Sequence, residues 1–149
     1  MHIRKGSKED LARLEALPHA EHWDHHMALM RKRLGSRESL AAEIDGQVVG
    51  MAIWDREFFG RAFIWMLGVH PNYHRHGVAS ELIRKIMTLA AGEHLYTSTN
   101  KSNDAMQALC KGLGFVESGY LENLDPGDPE IFFYKAPQLS KKLPRTRRS

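Results

Sequence analysis

The spacing of apolar residues changes several times along the chain, and each change marks a new element. Residues 1–6 alternate weakly and predict an edge strand. Ser7, with Asp10 three residues on, opens a helix in which Leu11, Leu14 and Leu17 recur at helical spacing up to Pro18. A second helix is predicted over Glu21–Leu34, stopped by Gly35. The period then shortens. Apolar runs at 39–44, 48–54 and 61–69, separated by Asp45-Gly46 and by the polar stretch 55–60, predict three consecutive strands in an antiparallel meander, with Pro71 breaking the third. Leu82, Ile83, Ile86, Leu89 and Ala90 mark one face of a helix over 77–91. A strand at 95–99, a helix at 103–113 closed by Gly114, and strands at 115–121 and 131–134 around a Pro126-Gly127-Pro129 loop complete the order. This is a mixed α+β pattern, read as a single α/β domain over residues 1–137.

Composition narrows the class. The chain has 149 residues, 42% hydrophobic and 26% charged, which suits one folded domain with a real core and excludes disordered or collagen-like chains. No stretch approaches the roughly 20 apolar residues of a spanning helix, and the charged start lacks the apolar core of a signal peptide. Cys110 stands alone, which excludes an internal disulfide framework and a multi-cysteine zinc site. A cytoplasmic location without membrane contact is the expectation. The formal charge is +3, but five of the basic residues lie in the last ten positions, leaving 16 basic against 18 acidic residues before them. Residues 138–149 therefore read as a basic solvated tail, and no nucleic-acid partner is expected.

Candidate chemistry concentrates in residues 67–79, where a strand ends, a polar turn follows and a helix begins at Gly77. The first N–H groups of a helix lack intrahelical partners and carry the positive end of its dipole, which suits phosphate oxygens. Gly77 permits close backbone approach, Ala79 is small, and Arg75 adds a full charge.

This stretch resembles the acyl-CoA-binding motif of the GNAT superfamily of N-acetyltransferases. The family pattern, Arg or Gln, two residues, Gly, one residue, then Gly or Ala, is met by His74-Arg75-His76-Gly77-Val78-Ala79, with His74 in the Arg/Gln place. Upstream, Leu67, Val69, Pro71 and Tyr73 keep the family cadence; downstream, Asn103, Leu109, Lys111, Leu113, Gly114 and Phe115 match an Asn, a helix and a closing Leu-Gly-Phe. The resemblance implies a mostly antiparallel mixed sheet of about seven strands, splayed in the middle and flanked by about four helices. It implies acetyl-CoA as co-substrate, no metal, and a small-molecule or peptide amine as acceptor, attacked directly through a tetrahedral intermediate. A homodimer stays open, as does a non-catalytic acyl-CoA-binding module of the same fold. By the same resemblance the Leu67 N–H is the oxyanion donor, the backbones of Leu67 and Val69 pair with the pantetheine arm, and Asn103 touches that arm. Arg75 to Ser80, with His74 before them, would hold the pyrophosphate. Cys110 falls where many members carry a tyrosine that protonates the leaving thiolate; a cysteine has a suitable ordinary pKa, about 8.5 against about 10 for tyrosine, but a much shorter reach. Tyr120 and Tyr134 are acid candidates by type alone.

Other residues admit plainer readings. His19, His22, His25 and His26 cluster about the second helix, and the His22–His26 spacing can bind a metal, but a polar face lining the acceptor site is the simpler reading. Trp23 and Met27 read as core or cleft wall. Asp55 and Glu57 are candidate bases for the acceptor amine, although such groups are commonly just solvated, and no carboxylate occupies the middle of the third strand, where Phe63 sits. Residues 124–130 read as a turn in preference to an acidic acceptor loop.

Overall fold

A computed structural model describes residues 1–18 and 21–138, the side chains of Glu21 and His22 excepted. Strand β1 (His2–Lys5) leads into helix α1 (Lys8–Ala16) because Ser7 stays extended and its hydroxyl accepts the Asp10 N–H. Helix α2 (Glu21–Leu34) ends at Gly35, whose φ of 42° is left-handed. Strands β2 (Glu38–Ile44) and β3 (Gln47–Phe58) meet at Asp45-Gly46, with φ of 50° and 79° as a two-residue hairpin demands. Strand β4 (Arg61–Val69) stops short of Pro71, which opens a 3-10 turn, Pro71–Tyr73. Helix α3 (Val78–Leu89), strand β5 (Leu95–Asn100), helix α4 (Asp104–Gly112) and strands β6 (Val116–Leu121) and β7 (Glu130–Lys135) follow.

The seven strands form one sheet in the order β1-β2-β3-β4-β5-β7-β6. Every neighbouring pair is antiparallel except β4 and β5, which run parallel because α3 carries the chain back across the sheet between them. One core gathers Leu82, Ile83 and Ile86 of α3 and Cys110 of α4 against Ala52, Trp54 and Phe133 of the sheet. A second, on the other face, packs Leu14 of α1 and Met27 and Met30 of α2 against Ala41, Met51 and Ile53. Covered on both faces, β3 is buried without interruption from Val48 to Trp54, which is why it reads as a continuous apolar run. No helix among the described residues is long and apolar enough to cross a membrane.

One expectation needs correcting. The polar stretch 55–60 is not a free connection: β3 continues to Phe58, and only Phe59 and Gly60, at φ 52° and 77°, make the turn. Asp55 stays in the ladder opposite Phe63, held by the side chains of Arg37 and Trp65, and Arg56 and Glu57 lie in an irregular step before Phe58 pairs with Arg61.

Asp10 ties α1 to the sheet. Its buried carboxylate accepts both terminal nitrogens of Arg4 at 2.8 Å, Arg13 at 2.8 Å and the Ser7 hydroxyl at 3.1 Å. The Arg4 guanidinium, outweighing the cost of burial, lowers its pKa from 3.8 to about 2, with Ser7 and Arg13 contributing less. A depressed carboxylate stabilises the fold fully above the unfolded pKa and loses that contribution as pH falls through the folded one. Asp10→Asn is therefore expected to lower stability by about 2 kcal/mol at neutral pH and to flatten the acid limb between pH 4 and 2, read by urea titration across pH.

Candidate active site

The site originates in a fault in the sheet. Ile53 faces Met66 and Trp54 faces Ile64, so Trp65 is an extra residue in β4, a β-bulge. Pairing of β4 with β5 is confined to Ala62–Leu95, Phe63–Tyr96 and Ile64–Thr97, and ends where the bulge begins. Beyond it the strands splay, as expected. The His70 N–H donates to the Val49 carbonyl at 2.8 Å, which sets the phase of the ladder with β3. In that phase Gly68 and Met66 point their backbone groups at β3, while Leu67 and Val69 turn theirs into the gap.

Two grooves open from this gap. One, of about 550 Å³, runs past Val69 to the loop before α3. The other, of about 530 Å³, lies between α2 and the loop leading into β7. Leu67, Asn103 and Met106 line both, so the grooves meet at these residues, where the backbone of Leu67 faces the gap.

The first groove ends in a cradle for an anion. Arg75 and Gly77 are both left-handed, at φ 68° and 77°, alternating with ordinary residues in the manner of an anion-binding nest. Gly77 caps α3 with no side chain, and the first helical bond runs from the Glu81 N–H to the Gly77 carbonyl at 3.0 Å. The N–H groups of Val78, Ala79 and Ser80 thus have no intrahelical acceptor. A Cβ on Gly77 would meet nothing within 4 Å, so the protein itself leaves that face open. His74 lines the groove, but its Nε2–H donates to the Val69 carbonyl at 3.0 Å, tying the loop to the end of β4 and occupying one of the two Val69 groups in the gap. His76 does not line the groove; its Nδ1–H turns back to the His74 carbonyl at 3.1 Å. Asn103 caps α4, its Oδ1 accepting the Met106 N–H at 3.1 Å, which leaves its Nδ2 at the junction without a partner among the described residues.

Cys110 does not line the groove. Ala105, Met106 and Leu109 are the α4 residues that line the groove, whereas Cys110 is fully buried on the core side, where burial pushes its thiol up to about 12. Tyr134 is engaged with His94 Nδ1 at 2.6 Å, and Tyr120 is 64% exposed on β6; neither lines a groove.

The second groove is built by residues far apart in sequence. Gly68 lets α2 press against β4: a Cβ there would sit 2.6 Å from Met30 Sδ and 2.7 Å from His26 Nε2. His26 stacks on Trp23 at 4.9 Å and lines the groove with His25 and Arg33. Burial pulls the His26 pKa below its ordinary value; the Leu67 backbone works in the opposite direction, and the charges of His25 and His74 add to the lowering. The ring is therefore neutral at neutral pH. On the opposite wall Glu130 accepts the Ser98 hydroxyl at 2.7 Å, and Asp125 accepts Asn100 Nδ2 at 2.9 Å. The segment 124–130 is thus a turn and an acidic wall at once, two readings that sequence alone set against each other. Asp55 and Glu57 line neither groove. Among the described residues no group of three or more His, Cys, Asp or Glu side chains could hold a metal ion; His19 and the His22 side chain lie outside them.

The chain belongs to the acetyltransferase (GNAT) family, whose model matches residues 8–115. It is 30% identical over 76 residues to the N-alpha-acetyltransferase RimI of Mycobacterium tuberculosis; the match covers 42% of this chain and about half, 48%, of the relative. A crystal structure of a GNAT-family acetyltransferase from Bacillus cereus is similar at a TM-score of 0.74 and 29% identity, over 93% of this chain and 98% of that one. The ribosomal-protein-S18-alanine N-acetyltransferase of Escherichia coli shares the fold at a TM-score of 0.70 and 19% identity, over 97% and 99% of the two chains.

Proposed function

We propose that the protein moves an acetyl group from acetyl-CoA to an amine by direct attack through a tetrahedral intermediate. The observation that carries this reading is the meeting of the two grooves at the gap-facing N–H of Leu67. Arg75 and the N–H groups of Val78, Ala79 and Ser80 suit the pyrophosphate. The Val69 N–H and Asn103 Nδ2 suit the pantetheine arm, which occupies the place that β5 leaves beside β4. His74 serves this site by holding the loop against β4.

In this reading Leu67 N–H donates to the thioester oxygen and holds it more strongly as it becomes an oxyanion; such a donor is worth about 10²–10³ in rate. The amine lone pair forms the C–N bond, and the C–S bond then breaks. His26, whose ring lines the second groove with its Nε2 buried against Gly68, would take the amine proton through Nδ1. Water reprotonates the thiolate, because Cys110 lies in the core.

The acidic wall of Asp125 and Glu130 favours a cationic acceptor, and likeness to an N-alpha-acetyltransferase favours an α-amine. An α-amine, with a pKa of about 8 against about 10.4 for lysine, is also neutral in a far larger fraction at pH 7. Lysine-free peptides with a free N-terminus are expected to turn over at least tenfold faster than N-blocked peptides carrying lysine. Equal or inverted rates would reassign the acceptor.

A further inference from the structure

The Leu67 N–H can act as an oxyanion donor only if the bulge that aims it is held still, and an extra residue in a strand is by itself a soft point. The bulged residue, Trp65, is gripped from several directions. Its indole Nε1–H donates to Asp55 Oδ1 at 2.6 Å. The other oxygen of the same carboxylate accepts Arg37 Nε at 3.0 Å, and the Arg37 guanidinium lies over the Trp65 ring at 4.5 Å. Arg37 Nη1 also donates to the Arg33 carbonyl at 2.7 Å, and Arg33 Nη1 donates to the Trp65 carbonyl at 3.3 Å. The last turn of α2, the segment after it and the far half of β3 thus close on one residue of β4. Asp55 stands at the centre, with its side chain 15% exposed and each oxygen engaged.

We propose that Asp55 is a positioning residue: by clamping Trp65 against Arg37 it fixes the β4 bulge, and with it the direction of the Leu67 N–H. The inference rests on the acetyl-transfer reading above for its kinetic consequence, but its structural content is independent of it. A carboxylate suits this place because it offers two acceptors, one to the neutral indole and one to the guanidinium, at the fixed angle the two donors require. An asparagine can satisfy one of those donors, and an alanine neither.

The test compares wild type, Asp55→Ala and Asp55→Asn by kcat, by KM for acetyl-CoA, and by the shift of the Leu67 amide NMR signal when acetyl-CoA is added. The nucleotide cradle lies apart from the clamp, so Asp55→Ala is expected to keep KM for acetyl-CoA within about threefold while kcat falls at least tenfold and the Leu67 shift shrinks. Asp55→Asn is expected to recover at least threefold of the lost kcat. A merely structural carboxylate would lower thermal stability and leave kcat per folded molecule and the Leu67 signal unchanged, and that result overturns the proposal. If Asp55→Ala does not fold, Trp65→Phe, which keeps a ring but removes the donor, is measured in the same way against the same expectations. If wild type transfers no acetyl group to any amine, the acetyl-transfer reading fails. The Leu67 signal, compared between wild type and variant in the unliganded protein, then decides the clamp alone: a displaced resonance supports it and an unmoved one refutes it.

Discussion

A Gly77→Glu variant is expected to lose at least a hundredfold in acetyl-CoA affinity while remaining folded. Three effects act together. The backbone is left-handed, with φ at 77°, which costs a side-chain-bearing residue about 1–2 kcal/mol. The new side chain points into space that the protein leaves empty and that the proposed pyrophosphate site would use. Its charge also opposes the phosphate among N–H groups that would otherwise bind it. Gly77→Ala separates these effects, since it keeps the strain without the charge and most of the bulk, and should weaken binding about tenfold or less. Calorimetry with acetyl-CoA reads both. Unchanged affinity in the glutamate variant would remove this loop from the binding site.

A Cys110→Tyr variant is expected to be destabilised by 3 kcal/mol or more and to show no gain in turnover. The thiol is fully buried in the core cluster that also holds Ile83, Ile86 and Phe133, so a tyrosine would overpack the core and bury a hydroxyl without an assured partner. Cys110→Ala should cost about 1 kcal/mol in stability and leave kcat within threefold. A general acid is worth about 10²–10⁴ in rate, so a hundredfold fall in the alanine variant with acetyl-CoA still bound would return Cys110 to the chemistry. Urea melts and steady-state rates decide between these outcomes.

What could be read from the sequence follows from how locally each feature is determined. The turn at Asp45-Gly46, the stop at Pro71 and the glycine start of α3 are set by the residues themselves, and they lie where expected. The unpartnered N–H groups at the start of α3 were legible for the same reason: a helix start carries its own donors. The face of α4 was not. Met106 and Leu109 line a groove while Cys110 enters the core, and all are apolar, so periodicity cannot tell groove wall from interior. The run from Asp55 looked like a loop because its polarity is satisfied by Arg37 and Trp65, which only the fold brings near. His26, Arg33, Ser98 and Glu130 come from α2, β5 and β7, and their meeting in one groove is a tertiary fact. The histidines about α2 and the acidic residues of 124–130 were the visible signals. Arg33, two helical turns beyond His25, had none beyond that spacing.

Acetyl transfer itself is tested most directly by following free CoA thiol and acceptor mass together, with acetyl-CoA saturating and with or without a panel of amines that includes α-amino peptides, amino acids and polyamines. Thiol release is expected to depend on an amine and to be matched, mole for mole, by acceptor that has gained an acetyl group. Acetyl-CoA that binds tightly, yet yields neither thiol nor acetylated product with any amine in the panel, would contradict it and leave a binding module in the place of an enzyme.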